Sequence, residues 1–234
     1  MYSRDIAGKE YTFGVSGKLI RNVLVMYDRQ TGTLWSQLLG KAVEGELEGA
    51  ELEFLPSWMT TWEDWKTRHP DTLALRKGYF GDRDPYQSYY LSGQTGVIGE
   101  TFQDDRLYVK EFVIGVEIGG IAKAYPFSSL NDEPVLNDEI DGVPVLIVFN
   151  TDTGTGVAFS RKLNGDSLTF DPDGNLEMID RETGTRWDGL SGVGLAGPLA
   201  NQQLERIKST PSFWFGWKDL HPGTGVYGLE ELAP

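Results

Sequence analysis

Asp28-Arg29-Gln30-Thr31-Gly32-Thr33-Leu34-Trp35 recurs 152 positions later as Asp180-Arg181-Glu182-Thr183-Gly184-Thr185-Arg186-Trp187. The register runs on without a gap through Leu38/Leu190, Gly40/Gly192, Gly45/Gly197, Leu47/Leu199 and Leu52/Leu204. It closes on Trp62/Trp214, Trp65/Trp217, Lys66/Lys218, His69/His221, Pro70/Pro222 and Thr72/Thr224. Self-similarity at a fixed offset is the mark of a repeated structural unit. A match that keeps rare tryptophans and both histidines in step is not chance, so residues 28–72 and 180–224 are two copies of one unit.

Upstream the offset becomes 157, with Ser3-Arg4 on Ser160-Arg161, Gly8 on Gly165 and Thr12-Phe13 on Thr169-Phe170. The five-residue difference falls in a turn, where insertions cost little. The second copy also has a lead-in, from about Tyr108 to Val157, with strand-like runs at 112–117, 121–125 and 145–149. Met1 falls opposite Ala158, so the first copy has no equivalent of those runs. A truncated start, a natural one-and-a-half-repeat protein and completion by a partner chain all account for this, and truncation is preferred. If the chain is complete, the first copy should expose a sheet edge, and an unpaired edge invites a homodimer. The expected organisation is a first, incomplete repeat at 1–75, a connecting segment at 76–107 and a complete repeat at 108–234, forming one pseudo-symmetric unit.

The pattern around the repeat is that of a mainly β fold, barrel- or sandwich-like, with few short helices. Val23–Asp28 and 33–36 flank a Gly-bearing turn and predict a hairpin, repeated at 176–180 and 185–187. Alternating strands are expected at 51–55 and 203–207. Thr60 or Thr61, followed by Glu63 and Asp64, caps a short helix with Trp62 and Trp65 on one face, ended by Pro70. In the connecting segment Tyr86, Tyr89, Tyr90 and Leu91 are expected to anchor against a core.

Composition narrows the function. A net charge of −14 argues against nucleic acid and anionic membrane surfaces. The longest apolar run, 145–149, is far short of the roughly 20 residues of a membrane span. With no cysteine, disulfides, thiolate nucleophiles and Cys-ligated metals are excluded. P-loop, dinucleotide and nucleophile-elbow motifs are absent from the sequence.

Several residue sets remain as candidates. Asp28 and Asp180, with Arg29 and Arg181, would place two acid–base and anion-clamping pairs at a pseudo-twofold cleft. The plainer reading is a turn in which Asp and Thr bond their own backbone, and it is preferred. His69 and His221 are repeat equivalents that would share a zinc or calcium ion with carboxylates, or else cap their helices. Thr151, Asp152 and Thr153 lie in a polar loop after the most apolar strand, a plausible binding rim or a tight turn. Asp171-Pro172-Asp173-Gly174 is a weak calcium-loop match, with its Gly at the wrong position. Asp132, Glu133, Asp138, Glu139 and Asp141 would offer paired carboxylates for glycosidic chemistry, though such acids are usually solvated. Trp35 and Trp187 would line a carbohydrate platform, although their place in the repeat favours the core.

The runs Thr12-Phe13-Gly14-Val15-Ser16-Gly17, Val25-Met26-Tyr27-Asp28-Arg29-Gln30-Thr31 and Leu34-Trp35-Ser36-Gln37 resemble the domain-of-unknown-function family numbered 3179. Residues 62–72 and Ala124-Tyr125-Pro126 share the resemblance, which spans nearly the whole chain. It implies a mostly prokaryotic, often secreted or lipid-anchored protein with no established activity. Such proteins commonly carry Tyr-Cys-Pro-x-Cys-Gly before the strand equivalent to 157–161. Here that segment is Phe149-Asn150-Thr151-Asp152-Thr153-Gly154, with Asn150 and Thr153 in place of the cysteines. Any metal or redox role tied to that pair is thereby put in question for this chain.

The expected function is an extracytoplasmic ligand-binding or accessory domain, with a site for a small molecule or carbohydrate between the repeats. The alternatives are a hydrolase of glycosidic or ester bonds using Asp28, Asp180, Asp152 and the histidines, and a truncated relative without activity. No cofactor is required by the sequence; a divalent metal remains open.

Overall fold

The structure, a computed structural model, describes residues 1–75, 86–174 and 176–229. Its helices are short: α1 (Trp62–Arg68), α2 (Gln87–Leu91), α3 (Phe127–Asp132) and α4 (Trp214–Leu220). The rest is mostly β, in several small sheets, and none of them closes into a barrel among the described residues. The barrel expectation is thereby corrected. The stacked sheets of the second repeat follow the sandwich alternative.

Each repeat holds one four-stranded antiparallel meander. The first uses Phe13–Ile20, Val23–Asp28, Leu34–Ser36 and Lys41–Glu44; the second uses Phe170–Pro172, Glu177–Asp180, Arg186–Asp188 and Gly194–Ala196. Met26 faces Trp35 in one and Met178 faces Trp187 in the other, with an irregularity at the same place in both. Phe13 meets Trp35 edge-on at 5.8 Å, and Phe170 meets Trp187 in the same way at 6.0 Å. The duplication is therefore carried by side-chain geometry as well as sequence.

The turn that closes each hairpin explains the invariant residues of the repeat. The Trp35 indole N–H donates to Asp28 Oδ2 at 3.0 Å, and Trp187 does the same to Asp180 at 2.9 Å. The Thr31 and Thr183 backbone N–H groups donate to the same carboxylates, while Thr33 and Thr185 hydroxyls accept from Leu47 N and Leu199 N. A buried indole N–H without an acceptor is costly, so the aspartate and tryptophan are one unit.

The lead-in 112–160 of the second repeat builds two further sheets. A central sheet runs Arg206–Ile207, Thr155–Ser160, Val143–Asn150, Val135–Ile140; an outer one runs Ser209–Phe213, Phe112–Ile118, Ile121–Pro126, Gly225–Val226. Alternation places Leu146 and Val148 on the repeat meander with Trp187, and Val145, Ile147 and Phe149 on the outer sheet with Ile114 and Tyr125. Burial on both faces is why this strand is apolar without a polar alternate. Gly119 and Gly120, both at positive φ, make the two-residue turn between Ile118 and Ile121. Helix α4 covers the far side of the outer sheet through Trp214 and Trp217, joined there by Leu38 of the first repeat.

Other expectations fare unevenly. Thr61 caps α1, accepting from Asp64 N. Residues 51–55 and 203–205 make isolated bridges where strands were expected. Tyr89 and Tyr90 pack on Phe213, while Tyr86 and Leu91 are exposed. Residues 76–85 of the connecting segment lie outside the described residues.

Replacing Asp180 with Ala should lower stability by about 3 kcal/mol, since it strands a buried indole N–H and two backbone donors. Asp28→Ala should cost a similar amount. Chemical denaturation followed by tryptophan fluorescence would test both; a loss under about 1 kcal/mol would show that the turn does not hold the hairpin.

Candidate functional site between the repeats

Leu39 and Leu38 follow the Trp35 hairpin and project from the first repeat toward α4 of the second. Between them lies a cavity of about 470 Å³ lined by Leu39, Lys41 and Glu51 from one repeat and by Glu117, Lys208, Thr210, Trp217 and His221 from the other. The symmetry-related place holds Ser191 and Gln203 of the second repeat against Trp58, Trp65 and His69 of the first, in an open groove of about 770 Å³. Position for position, Leu39 matches Ser191, Glu51 matches Gln203, Trp217 matches Trp65 and His221 matches His69. The two sites are thus equivalent under the repeat, with different chemistry.

In both helices the histidine follows the last turn and its backbone N–H donates to the tryptophan carbonyl at 2.9 Å. Trp217 Nε1 donates to Thr224 Oγ1 and Trp65 Nε1 to Thr72 Oγ1, each at 3.0 Å. The imidazole lies over its tryptophan, with centroids 4.0 Å apart for His221 and 4.1 Å for His69. The recurrence of Trp, His and Thr together is this stacked clasp.

The clasp orients charge only in the first cavity. His221 Nδ1 stands 3.7 Å from Glu117 Oε2, a carboxylate brought in by the outer-sheet hairpin. Burial pulls the His221 pKa below its usual 6.5; Glu117 opposes this and Lys208 adds to it. Lys208 Nζ donates to Leu39 O at 2.7 Å. Its ammonium has capacity for two more bonds. Burial lowers its pKa, with Glu117 and Glu51 opposing. Lys41 and Glu51 pair at 3.5 Å on the exposed rim.

The residues singled out in the sequence are distributed otherwise. Asp28 and Asp180 are fully buried inside their turns, so neither faces a cleft. Burial alone would raise the Asp28 pKa, but hydrogen bonds from Thr31, Trp35 and Gln30 outweigh it and hold it below the usual value. Its contribution to stability is therefore present above about pH 4 and lost as pH falls through that lowered pKa. Trp35 and Trp187 are likewise fully buried, out of a ligand's reach. Arg29 donates to Phe13 O and Arg181 pairs with Asp171. Asp173 is bound by Arg186, which ties both acids of the presumed calcium loop to arginines. His69 and His221 line separate cavities rather than one shared site. No cluster of three His, Cys, Asp or Glu side chains that would hold a metal occurs among the described residues.

Residues 150–155 form a third copy of the same turn. Asn150 Oδ1 accepts from Asp152 N and Thr153 N, and the Thr153 and Thr155 hydroxyls meet at 2.8 Å, as those of Thr183 and Thr185 do at 2.7 Å. Thr151, Asp152 and Thr153 thus belong to a turn motif that Asn-x-x-Thr-Gly-Thr already spelled against Asp-x-x-Thr-Gly-Thr. Of the acids in 131–141, Asp138 is held by Lys123 at 2.7 Å and by the Tyr125 hydroxyl at 2.9 Å. The sequence reading passed over Lys208 and Glu117, because neither recurs in the first repeat.

Mainly β, duplicated, and built around an inter-repeat cavity, this is a two-repeat β protein with a stacked Trp–His clasp in each half. The chain belongs to DUF3179, a family of proteins of unknown function, whose model matches residues 1–117 and again 101–231. The two overlapping matches are in line with an internal repeat. No curated protein and no solved structure matches the chain.

A proton NMR titration should place His221 below 6.5, lower still in Glu117→Gln and higher in Lys208→Met. Because its folded-state pKa is depressed, its effect on stability is absent above about pH 6.5 and becomes destabilising as pH falls below it. A midpoint at or above 6.5 would contradict the buried, neutral imidazole.

Proposed function

We propose that this protein is an extracytoplasmic binding module that takes a small organic ligand into the cavity between its repeats. The observation that carries this reading is Lys208, a half-buried ammonium with spare donors facing a cavity of mixed lining to which Trp217 and Leu39 contribute. Apolar surface beside a few convergent polar groups is the usual form of a small-molecule site. Lys208 suits a carboxylate on the ligand, while Trp217 and Leu39 suit an apolar body; Glu117 and His221 set its polar edge. The extracytoplasmic setting rests on the leaders common among the proteins this chain resembles.

Ligand-observed NMR with a panel of aromatic and aliphatic monocarboxylates tests the reading. Members of the panel should bind with dissociation constants at or below the millimolar range, and Lys208→Met should weaken them at least tenfold. Binding unchanged in Lys208→Met, or no binding across the panel, would overturn it.

A further inference from the structure

In the outer sheet Ser209–Phe213 runs antiparallel to Phe112–Ile118, with Thr210 opposite Gly115 and Ser209 opposite Val116. The next positions along the two chains are Lys208 and Glu117. Side chains two apart on a strand share a face. Glu117 therefore projects on the side of Gly115, where the Trp217 ring lies so close that a Cβ would overlap it. Opposite charges placed across neighbouring strands ordinarily pair. These two do not. The Lys208 ammonium reaches to Leu39 O of the first repeat at 2.7 Å, and no carboxylate pairs with it among the described residues. Glu117 has His221 as its ion-pair neighbour at 3.7 Å, an imidazole that burial keeps mostly neutral at pH 7. The other charges of the cavity, Lys41 and Glu51, pair with each other on the rim.

One cation and one anion thus stand apart in a single cavity, beside an aromatic ring. Resting on the ligand-binding reading above, we propose that the ligand is a free α-amino acid with an apolar side chain. Its carboxylate meets Lys208, its ammonium meets Glu117, and its side chain lies against Trp217 and Leu39. Charge decides the class. A ligand with a carboxylate alone satisfies Lys208 but is repelled by Glu117, and an amine alone meets the reverse. A zwitterion satisfies both and leaves the net charge of the cavity unchanged. The volume of about 470 Å³ lies within the roughly 300–1,000 Å³ usual for small-molecule pockets. A peptide fits less well, because its terminal amine and terminal carboxylate sit on different residues.

The test is calorimetric titration of the intact protein at about pH 7.5 with matched ligands. Phenylalanine and leucine are compared with 3-phenylpropionate and 4-methylpentanoate, which lack the amine, and with phenylethylamine, which lacks the carboxylate. At least one of the two amino acids should bind about tenfold tighter than its amine-free and carboxylate-free counterparts. Glu117→Gln should erase the advantage over the amine-free acid while that acid binds at least as tightly as before, which also shows the variant folded. Lys208→Met should weaken the amino acid about tenfold. Equal affinity of each amino acid and its amine-free acid, or an advantage that survives Glu117→Gln, would overturn the amino-acid assignment and leave the carboxylate site standing. No binding by any of these ligands would overturn both.

Discussion

Each meander depends on one bond between a buried carboxylate and a buried indole. An aspartate inside a small β unit is expensive to desolvate, and it is tolerated here because backbone N–H groups, a threonine hydroxyl and the tryptophan share its two oxygens. That arrangement fixes the indole edge, and the ring then packs edge-on against Phe13 or Phe170 of the same meander. Loss of the carboxylate would leave the largest core residue with an unpaired donor. The repeat therefore keeps Asp, Thr, Gly, Thr and Trp together while neighbouring positions drift.

The two copies share this local physics but not their surroundings. In the second, the two sheets of the lead-in pack against the meander and against α4, giving continuous layers from Trp187 through Phe149 to Trp217. In the first, a small core around Trp35, Ala42 and Leu52 stands with Tyr2 and Met26 at its edge. The pseudo-symmetric cavities diverge accordingly: one gains Glu117 and a glycine-rich rim from the hairpin, while the other stays open and apolar. Duplication supplied two sites, and the lead-in made them chemically distinct.

Much of this was legible in the sequence because the repeat aligns the residues that fix turns and caps. The hairpins, the Thr61 cap and the strand 145–149 follow from local rules that need no tertiary knowledge. The candidate site was less legible. A repeat draws the eye to matched residues, and Asp28, Asp180, Trp35 and Trp187 match because they are structural. Lys208, which lines the cavity with Glu117, stands opposite Pro56 in the first repeat and so was not marked by the repeat. The strand Val135–Ile140 and helix α3 were hidden in an acidic stretch whose inward residues, Leu136, Ile140 and Leu130, are outnumbered by solvent-facing ones. Strands at 51–55 failed because a strand needs neighbours on its edges, and there only single bridges are available.

Arg206–Ile207 belongs to the central sheet and Ser209–Phe213 to the outer one, so here one residue, Lys208, carries the chain from one layer to the other. Its backbone is a hinge pin shared by two stacked sheets, while its side chain enters the cavity. Occupancy of that cavity by the ligand proposed above would therefore be linked to the tightness of the whole stack. A guest gripping the ammonium only at the present layer spacing would stiffen both sheets together, and loosening of either sheet would release it.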